Sequence, residues 1–310
     1  MDDAILLKNG EQLVIHTLEP PLGDYADQVG CWGDVRDDLL GGVFQPWLFT
    51  PYFVGEIDGE VVGSMSYYTP TDRREVGVVE FVQTKEAHRQ KGISSQLMAR
   101  LIQRFLEDQG KALYLCTTNP VAGHLYENFG FWYHVGDGMR YLAPDAQDFD
   151  RTYWAFCGKG KIRAATWGDL PRLSALYNHP EPQWLLKDYL TQTFGEMRYE
   201  SHFVKLMRRI ENDRGAFLIL ENLEKRVVGA AAFERCGTFF EQHIATLGFR
   251  ICPAYKEQAT ELLEAAVEAA GSLGIRTLQV PIAARDEDQI ALVASAGFSE
   301  EARFTDRLRV

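Results

Sequence analysis

The sequence predicts an α/β protein built from two tandem domains, and three observations support that prediction. The chain has 310 residues, which is enough for two domains of ordinary size. Short segments rich in β-branched and aromatic residues alternate with longer segments that space apolar residues for a helix. Markers from the first half recur in the second half at a constant offset. We therefore expect one domain over residues 1–145, a linker over 146–160 and a second domain over 161–310.

Composition narrows the class of protein. Hydrophobic residues make up 46% of the chain and charged residues 25%, as in globular proteins, and no apolar run approaches the ~20 residues that span a bilayer. We therefore expect no membrane partner, and the formal net charge of −12, which repels phosphate backbones, predicts no nucleic acid partner. The opening residues, MDDAILLKNGEQ, lack the basic start of a secretory signal. Five scattered cysteines without a CxxC pair indicate reduced thiols and a cytoplasmic location.

The first predicted elements are a hairpin and a buried strand. The segment PYFVGEIDGEVVGSMSYY, residues 51–68, places two apolar strand patterns around Asp58–Gly59, a dipeptide that favours a two-residue turn. The segment VGVVEFVQT, Val76–Thr84, is β-branched and aromatic with few charges, which predicts a buried strand.

A helix over 94–109 follows, and the turn before it predicts an anion site. Its apolar residues at helical spacing are Leu97, Met98, Leu101, Ile102 and Phe105. Gly110 is expected to end the helix. A strand-to-helix turn directs free backbone N–H groups and the positive end of the helix dipole towards one point, where a phosphate binds well. Gly92 lets the backbone approach closely, and the small residues Ser94 and Ser95 add hydroxyl donors.

A second apolar strand, KALYLCTT over 111–118, leads into NPVAGHLYENFGF over 119–131, and these segments carry a family resemblance. The hexapeptide Arg89-Gln90-Lys91-Gly92-Ile93-Ser94 resembles motif A of the GNAT N-acetyltransferase superfamily. The later stretch resembles its motif B at Asn119, Ala122, Leu125, Tyr126, Gly130 and Phe131. The 37 positions from Arg89 to Tyr126 leave room for a helix, a strand and the start of another helix. The resemblance covers roughly residues 12–143 and implies a mixed central sheet flanked by helices in each domain.

The same resemblance implies a binding site for acetyl-CoA as the acyl donor. Backbone groups at the strand end, Val82, Gln83 and Thr84, are expected to bond the pantetheine arm as an added strand would. The pyrophosphate is expected on the loop formed by Arg89, Gln90, Lys91, Gly92, Ile93, Ser94 and Ser95. Asn119 is expected to bond the cofactor arm as well. Glu86 stands where relatives often have proline, which puts the stiffness of the loop in doubt but not the phosphate cradle.

Two side chains are candidates for proton transfer. Tyr126, inside motif B, is the predicted general acid, because a phenol near the departing sulfur can protonate or hydrogen-bond the thiolate; its other interpretation is a core tyrosine. Glu80 is a carboxylate in an otherwise apolar strand, and it is interpreted either as a general base or as a rim residue facing water or an arginine. No His, Cys and Asp cluster has zinc-ligand spacing, so no metal is expected.

The second half of the chain repeats the spacing of these motifs but lacks the residues that would bind phosphate or donate a proton. Lys256 aligns with Arg89 at an offset of 167, and the same offset brings Gly130–Phe131 onto Gly297–Phe298. At that offset Ala259 replaces Gly92, Glu261 replaces Ser94 and Val293 replaces Tyr126. A carboxylate repels phosphate and valine donates no proton, so the second domain is predicted to be a degenerate scaffold. A purely stabilising role and a site for another ligand remain as alternatives.

The sequence predicts an acetyl-CoA-dependent N-acyltransferase that acts on an unidentified small-molecule or peptide amine, as a monomer or homodimer. The alternatives are an acyl-CoA sensor and acyl transfer to a thiol or alcohol. The acceptor pocket is expected from residues 25–47, where Asp34, Asp37 and Asp38 either meet a cationic acceptor or form a solvated helix face. The matching segment of the second domain, 179–215, is predicted to be helical.

Overall fold

A computed structural model describes residues 3–179 and 199–304, and within them the chain forms two compact units. The first unit runs to Phe149 and includes Thr166–Ser174, and the second unit contains the remainder. The predicted domain bounds at 145 and 161 and the linker between them stay predictions. Residues 180–198 of the predicted helical segment lie outside the described part of the chain.

The first unit is built on a mixed sheet in which one strand pair is parallel. Its strands are β1 (Asp3–Leu6), β2 (Gln12–Leu18), β3 (Leu48–Phe49), β4 (Tyr52–Ile57), β5 (Glu60–Pro70), β6 (Val76–Thr84), β7 (Ala112–Cys116), β8 (Trp132–Val135) and β9 (Gly138–Leu142). The strand order is β1-β2-β4-β5-β6-β7-β9-β8, with β3 paired to β5. Only β6 and β7 pair in parallel among these strands. The parallel pair places the α-helix that connects them against the sheet.

The described residues form eight α-helices along the chain. They are α1 (Arg36–Leu40), α2 (Ile93–Glu107), α3 (Pro120–Glu127), α4 (Phe149–Tyr153), α5 (Leu170–Tyr177), α6 (Tyr199–Ile210), α7 (Ala259–Ser272) and α8 (Glu287–Ser295). None of these helices is long and apolar enough to cross a membrane, as far as the described residues extend.

The amphipathic pattern of α2 is confirmed, and the structure corrects how the helix ends. Its buried residues are Ile93, Leu97, Met98, Leu101 and Phe105, which join the sheet residues in the core of the first unit. Gln109, not Gly110, adopts the left-handed conformation, with φ 63°. The Gln109 N–H donates to Leu106 and the Gly110 N–H donates to Phe105, which closes a Schellman motif. Glycine is needed at 110 because a Cβ there would lie 2.2 Å from the Phe105 ring.

The predicted hairpin is confirmed, including its turn. β4 and β5 pair in antiparallel fashion around Asp58 and Gly59, whose φ angles are 51° and 79°. Two consecutive residues with positive φ are typical of the type I′ turn, which matches the twist of the flanking strands.

β6 leaves the regular sheet geometry in its second half. Ser64 pairs with Gln83 and Ser66 pairs with Glu80, so β6 carries one extra residue in this stretch, a β-bulge. Phe81 sits in the bulge with φ 54°. The parallel pairing with β7 ends at Val78, so the remaining residues of β6 have no strand partner on that side. The sheet therefore opens where the strand approaches the turn before α2.

The second unit has the same type of mixed sheet. Its strands are β10 (Lys161–Ala164), β11 (Gly215–Glu221), β12 (Val227–Arg235), β13 (Ile244–Ile251) and β14 (Thr277–Gln279), in sequential order. β13 and β14 pair in parallel and the other pairs are antiparallel. The predicted fold class, two tandem domains that each contain a mixed sheet with helices, is confirmed.

The predicted offset of 167 holds at the level of single hydrogen bonds. Asn119 caps α3 and Asp286, 167 positions later, caps α8, each through its side-chain oxygen. The Phe131 N–H donates to the Tyr126 carbonyl over 3.1 Å, and the Phe298 N–H donates to the Val293 carbonyl over 3.1 Å. The repeated geometry shows that the two helices end in the same way although one carries tyrosine and the other valine.

Candidate active site

The turn before α2 presents a row of unused backbone donors. No described residue accepts a hydrogen bond from the backbone N–H of any residue from Gln90 to Ser95, and the first bond of the helix is donated by Gln96 to Gly92. Gln90 has φ 64° and Gly92 has φ 84°, and these left-handed residues curve the backbone around a concave surface. Six consecutive N–H groups at the start of a 15-residue helix form an anion cradle.

Three features hold this cradle in place. The Ile93 side chain is buried in the core, so its N–H is fixed while its side chain points inwards. The Ser94 and Thr84 hydroxyl oxygens lie 2.8 Å apart, which joins the cradle to the end of β6. The space beside Gly92 is open, since a Cβ there would meet no atom within 4 Å. The cradle is thus both fixed and accessible, as a phosphate site requires.

The basic residues of the cradle are placed at its edge. Arg89 is exposed, and no described residue forms an ion pair with it. The Lys91 ammonium lies 2.9 Å from the Glu11 carboxylate and 3.3 Å from His88 Nδ1. The bond from Lys91 lowers the pKa of Glu11. Positive charge is therefore available beside the donors from Arg89, while Lys91 is shared with Glu11.

The end of β6 lies next to the cradle and keeps one backbone edge unpaired. Val82, Gln83 and Thr84 follow the bulge and come after the last residue that pairs with β7. The Gln83 side chain donates to the Ser64 hydroxyl over 2.9 Å and to the Gln28 carbonyl over 3.3 Å, which fixes the strand on its β5 side. The unpaired backbone edge has the geometry by which extended ligands add to sheets.

Asn119 has a structural task that the sequence prediction did not assign to it. Its side-chain oxygen accepts from the Val121 N–H over 3.0 Å and so caps α3. The side chain is exposed, and its amide nitrogen has no acceptor among the described residues. Its predicted contact with the cofactor arm is compatible with this cap, because the two use different atoms, and it stays a prediction.

Tyr126 projects from α3 into a mostly apolar environment. It is 6% exposed and packs within the core cluster of the first unit. Burial, with a further contribution from the Glu80 carboxylate, raises the pKa of Tyr126 to about 12. Within the described part of the chain its hydroxyl has no hydrogen-bond partner. The phenol therefore stays protonated at neutral pH and keeps its proton available for another acceptor.

Glu80 is half-buried at the opening of the sheet and pairs across the strands with Ser66. Its charge acts on two phenols: it contributes to the raised pKa of Tyr126 and to that of Tyr68. The structure thus places the two predicted proton-transfer residues close enough to interact electrostatically. Whether Glu80 acts as a base or as a charged rim residue stays open, and both interpretations remain.

An aromatic cluster beside Glu80 was not predicted. Trp32 stacks on Tyr68 with ring centroids 5.0 Å apart and meets Phe81 edge-on at 5.2 Å. Tyr68 and Phe81 lie 6.3 Å apart in an edge-to-face arrangement. Tyr68 is fully buried, whereas Trp32 and Phe81 are partly exposed. The sequence signal was the tryptophan in the CWGD stretch, which lies in the segment expected to form the acceptor pocket.

The acidic residues predicted near the acceptor lie on short helices. Asp34 lies in a 3₁₀ turn, Gly33–Val35, and Asp37 and Asp38 lie in the first turn of α1. Asp34 and Asp37 are exposed and Asp38 is half-buried. Their proposed contact with a cationic acceptor stays a prediction.

The second unit has no comparable cradle at the start of α7. The 3₁₀ helix Pro253–Gln258 continues directly into α7, and Gln258 and Ala259 have negative φ. The Gly160 N–H donates to Gln258 Oε1 over 2.8 Å. The Lys159 ammonium lies 2.7 Å from the Glu261 carboxylate. A segment of the same chain therefore bonds the residues that would surround a phosphate, and Glu261 adds negative charge there.

A surface cavity of about 840 Å³ lies at the end of α2, away from the cradle, and its wall contains charge pairs such as Lys111–Asp145 and Arg74–Asp108. We assign no role to it, because it holds none of the predicted site residues. No group of three or more His, Cys, Asp or Glu residues that could hold a metal ion occurs in residues 3–179 and 199–304.

Comparison with known sequences finds two matches, one in each half of the chain. The model of the acetyltransferase (GNAT) family matches residues 24–131. The model of the acetyltransferase (GNAT) domain matches residues 161–299. Among curated proteins, none matches the chain.

Several solved structures are similar to parts of the chain. A ribosomal-protein-alanine N-acetyltransferase from Brucella melitensis is 24% identical, with 46% of this chain and 86% of that chain covered and a TM-score of 0.38. A GNAT-family acetyltransferase from Streptococcus pneumoniae is 22% identical over 46% of this chain and 86% of that chain, with a TM-score of 0.38. A Salmonella typhimurium protein solved with its cofactor acetyl-CoA is 18% identical over 47% of this chain and 82% of that chain, with a TM-score of 0.39.

Proposed function

Because the chain belongs to the GNAT superfamily and carries two domains of that fold in tandem, we propose that its first unit transfers an acetyl group from acetyl-CoA to an amine. The second unit takes no part in binding the acyl donor in this proposal. The acceptor is a small molecule or a peptide that presents a primary amine. The five cysteines are free thiols, which suits a reducing compartment such as the cytoplasm.

The single observation that supports this proposal most is the row of six unused N–H groups from Gln90 to Ser95. These donors have no partner among the described residues, and the buried Ile93 side chain and the Ser94–Thr84 contact hold them in place, so an anion can bind them without rearranging the turn. The row lies beside the end of β6, where that strand has no β7 partner, so an extended molecule with a phosphate group at one end fits both features together. The pyrophosphate and pantetheine arm of acetyl-CoA have this chemistry.

The chain supplies side chains that assist the transfer at the leaving sulfur and at the attacking amine. The amine nitrogen attacks the thioester carbonyl carbon, the carbon–sulfur bond breaks, and its electron pair remains on sulfur. The Tyr126 phenol, kept protonated by its raised pKa, donates a hydrogen bond that stabilises the thiolate, and the released thiolate takes its proton from solvent. The proton that the amine loses goes to Glu80 or to water.

The proposal is tested by measuring release of free thiol from acetyl-CoA in the presence of a panel of amines. Thiol release that depends on the amine, with the acetylated amine identified by mass spectrometry, is the expected result. Binding of acetyl-CoA without thiol release would indicate a sensor protein instead. Thiol release with alcohols or carrier-protein thiols, but with none of the amines, would replace the N-acyltransferase assignment.

A further inference from the structure

We propose that Trp32 and Phe81 form the wall that selects the acceptor, and that the acceptor is a primary amine carried on a flat apolar group such as an aromatic ring. This inference rests on the proposed function, because the acceptor is the amine of that reaction. The residues that would select it form the aromatic wall, defined as Trp32 and Phe81 with Tyr68 behind them.

The aromatic wall lies next to the candidate base, Glu80. Phe81 stands between Glu80 and Val82 in sequence, so it separates the candidate base from the backbone edge that would hold the acyl donor. The Glu80 carboxylate acts electrostatically on both Tyr68 and Tyr126. The wall therefore lies beside the carboxylate that also acts on the proposed acid.

The position of Phe81 is maintained against a local energetic cost. Its φ of 54° is uncommon for a bulky residue, and such strain persists only where the surroundings enforce it. Gly30 allows the ring to sit there, because a Cβ at position 30 would lie 2.7 Å from the Phe81 Cβ. The bulge turns the ring out of the ordinary strand alternation and towards Trp32. Strained residues of this kind cluster at ligand-binding sites.

Three charged groups lie near the wall: Glu80 acts on Tyr68, and Arg36 and Asp37 act on Cys31, the residue before Trp32. Burial raises the pKa of Cys31 to about 11, so its thiol is neutral at physiological pH. The Tyr52 and Tyr68 hydroxyl oxygens lie 3.4 Å apart, and burial raises the pKa of both phenols, so they are neutral as well. One carboxylate beside two partly exposed rings suits one ammonium group on an apolar body.

A polycationic acceptor is the main competitor, and the structure favours it less. It would need further carboxylates beyond Glu80, and the nearby candidates in sequence are Asp34 and Asp37, which are exposed. Exposed carboxylates contribute little binding energy at physiological salt. Two aromatic faces offer a second ammonium much weaker stabilisation than a buried carboxylate would.

The inference is tested by direct binding, separately from catalysis. The probes are 2-phenylethylamine, n-butylamine and 1,4-diaminobutane, titrated by calorimetry into the full chain in the presence of excess CoA. We expect 2-phenylethylamine to bind more tightly than n-butylamine and more tightly than 1,4-diaminobutane. Trp32→Ala is expected to weaken 2-phenylethylamine binding about tenfold or more while changing n-butylamine binding little, because only the ring uses the wall. Trp32→Phe is expected to restore most of the affinity.

The control is Phe240→Ala, which removes an aromatic ring that is 84% exposed in the other unit and should change neither affinity. Melting curves of each variant verify that it is folded. The inference is overturned if 2-phenylethylamine does not bind, if it binds no tighter than n-butylamine, if the diamine binds tightest, or if folded Trp32→Ala binds it as the wild type does. Wall-dependent binding without thiol release would leave this inference standing and refute the proposed reaction.

Discussion

Tyr126 occupies a position where burial and the Glu80 carboxylate both oppose the loss of its proton. Tyr126→Phe keeps the packing in the core and removes only the hydroxyl. We expect turnover to fall by about 10²–10⁴-fold, the range typical of a positioned acid, while acetyl-CoA affinity changes little. The reason is that negative charge collects on sulfur only as the bond breaks, so the hydroxyl stabilises the transition state more than the ground state. Steady-state kinetics and calorimetry measure the two quantities.

The pH dependence gives a second readout of the same residue. A raised pKa means that the phenol remains protonated up to about pH 12. Loss of the Tyr126 proton therefore should not lower turnover between pH 6 and about pH 10, and the rate should rise with pH as the amine becomes neutral. Wild-type turnover by Tyr126→Phe where chemistry limits the rate would make Tyr126 a core residue only.

Gly92 tests the anion cradle. Gly92→Glu places a carboxylate in the open space beside the unused donors, and we expect acetyl-CoA binding to be abolished because phosphate and carboxylate repel each other. Gly274→Glu is the matched control, since Gly274 also has a left-handed φ, 75°, and open space around it, but lies after α7 in the second unit. Calorimetry should show normal binding for the control. Normal binding by folded Gly92→Glu would mean that the phosphate binds elsewhere.

At this scale the sequence predicted the residues that carry a local motif and missed those defined by long-range contacts. The cradle was predictable because its donors are consecutive in the chain. The contacts among Trp32, Tyr68 and Phe81 join three distant segments, and no local pattern indicates them. The pairing of Lys91 with Glu11, 80 positions away, was equally invisible.

At the scale of single elements, the stability of the protein is expected to be sensitive to substitution at the end of α2. In Gly110→Ala the new Cβ would lie 2.2 Å from the fully buried Phe105 ring, which would have to move. We expect a loss of about 1–3 kcal/mol in the free energy of unfolding, the usual cost of overpacking. Chemical denaturation measures the change.

Gly271→Ala provides the comparison for Gly110→Ala. Gly271 lies within α7, and a Cβ there would meet no atom within 4 Å. This variant should be stabilised by about 0.4–1 kcal/mol, because alanine favours a helix more than glycine does. If both substitutions changed the free energy of unfolding equally, the contact with Phe105 would not affect stability.

The helices and strands themselves were largely predictable, and their irregularities were not. Apolar spacing predicted a helix over 94–109, and the observed helix is Ile93–Glu107. The strand Val76–Thr84 was predicted with its observed bounds, but nothing in VGVVEFVQT indicated the bulge at Phe81. A bulge depends on the register with β5 and on the space left by Gly30, which only the folded chain defines.

At the scale of the whole molecule, the two units should differ in binding. We expect calorimetry to give one acetyl-CoA site per chain, because the backbone at the start of α7 lacks left-handed residues. The side chains there are also occupied: Gln258 accepts a hydrogen bond from Gly160, and Glu261 pairs with Lys159. Gly92→Glu should then remove all binding rather than half of it. Two equivalent sites in the wild type would contradict the assignment.

The tandem arrangement was the most predictable property of the molecule. Gly130–Phe131 and Gly297–Phe298 reveal the repeat in the sequence because glycine at a helix end has a backbone role that other residues fill poorly, and the structure gives these glycines φ angles of 85° and 90°. The bonds of Lys159 and Gly160 at α7 could not be predicted, because the segment 146–160 was expected to be only a linker.

The gap between β6 and β7 has a consequence for the behaviour of the protein in a crowded solution. A strand edge without a partner ordinarily invites other chains to add to it, which is how many aggregates begin. Here the unpaired edge faces inwards, since the two strands are joined at Val76–Val78 and separate only beyond that point. A foreign peptide would have to insert between two strands of one sheet. The thin pantetheine arm of the proposed acyl donor fits between them more easily. The molecule can keep a hydrogen-bonding edge ready for the proposed acyl donor without exposing it to neighbouring chains.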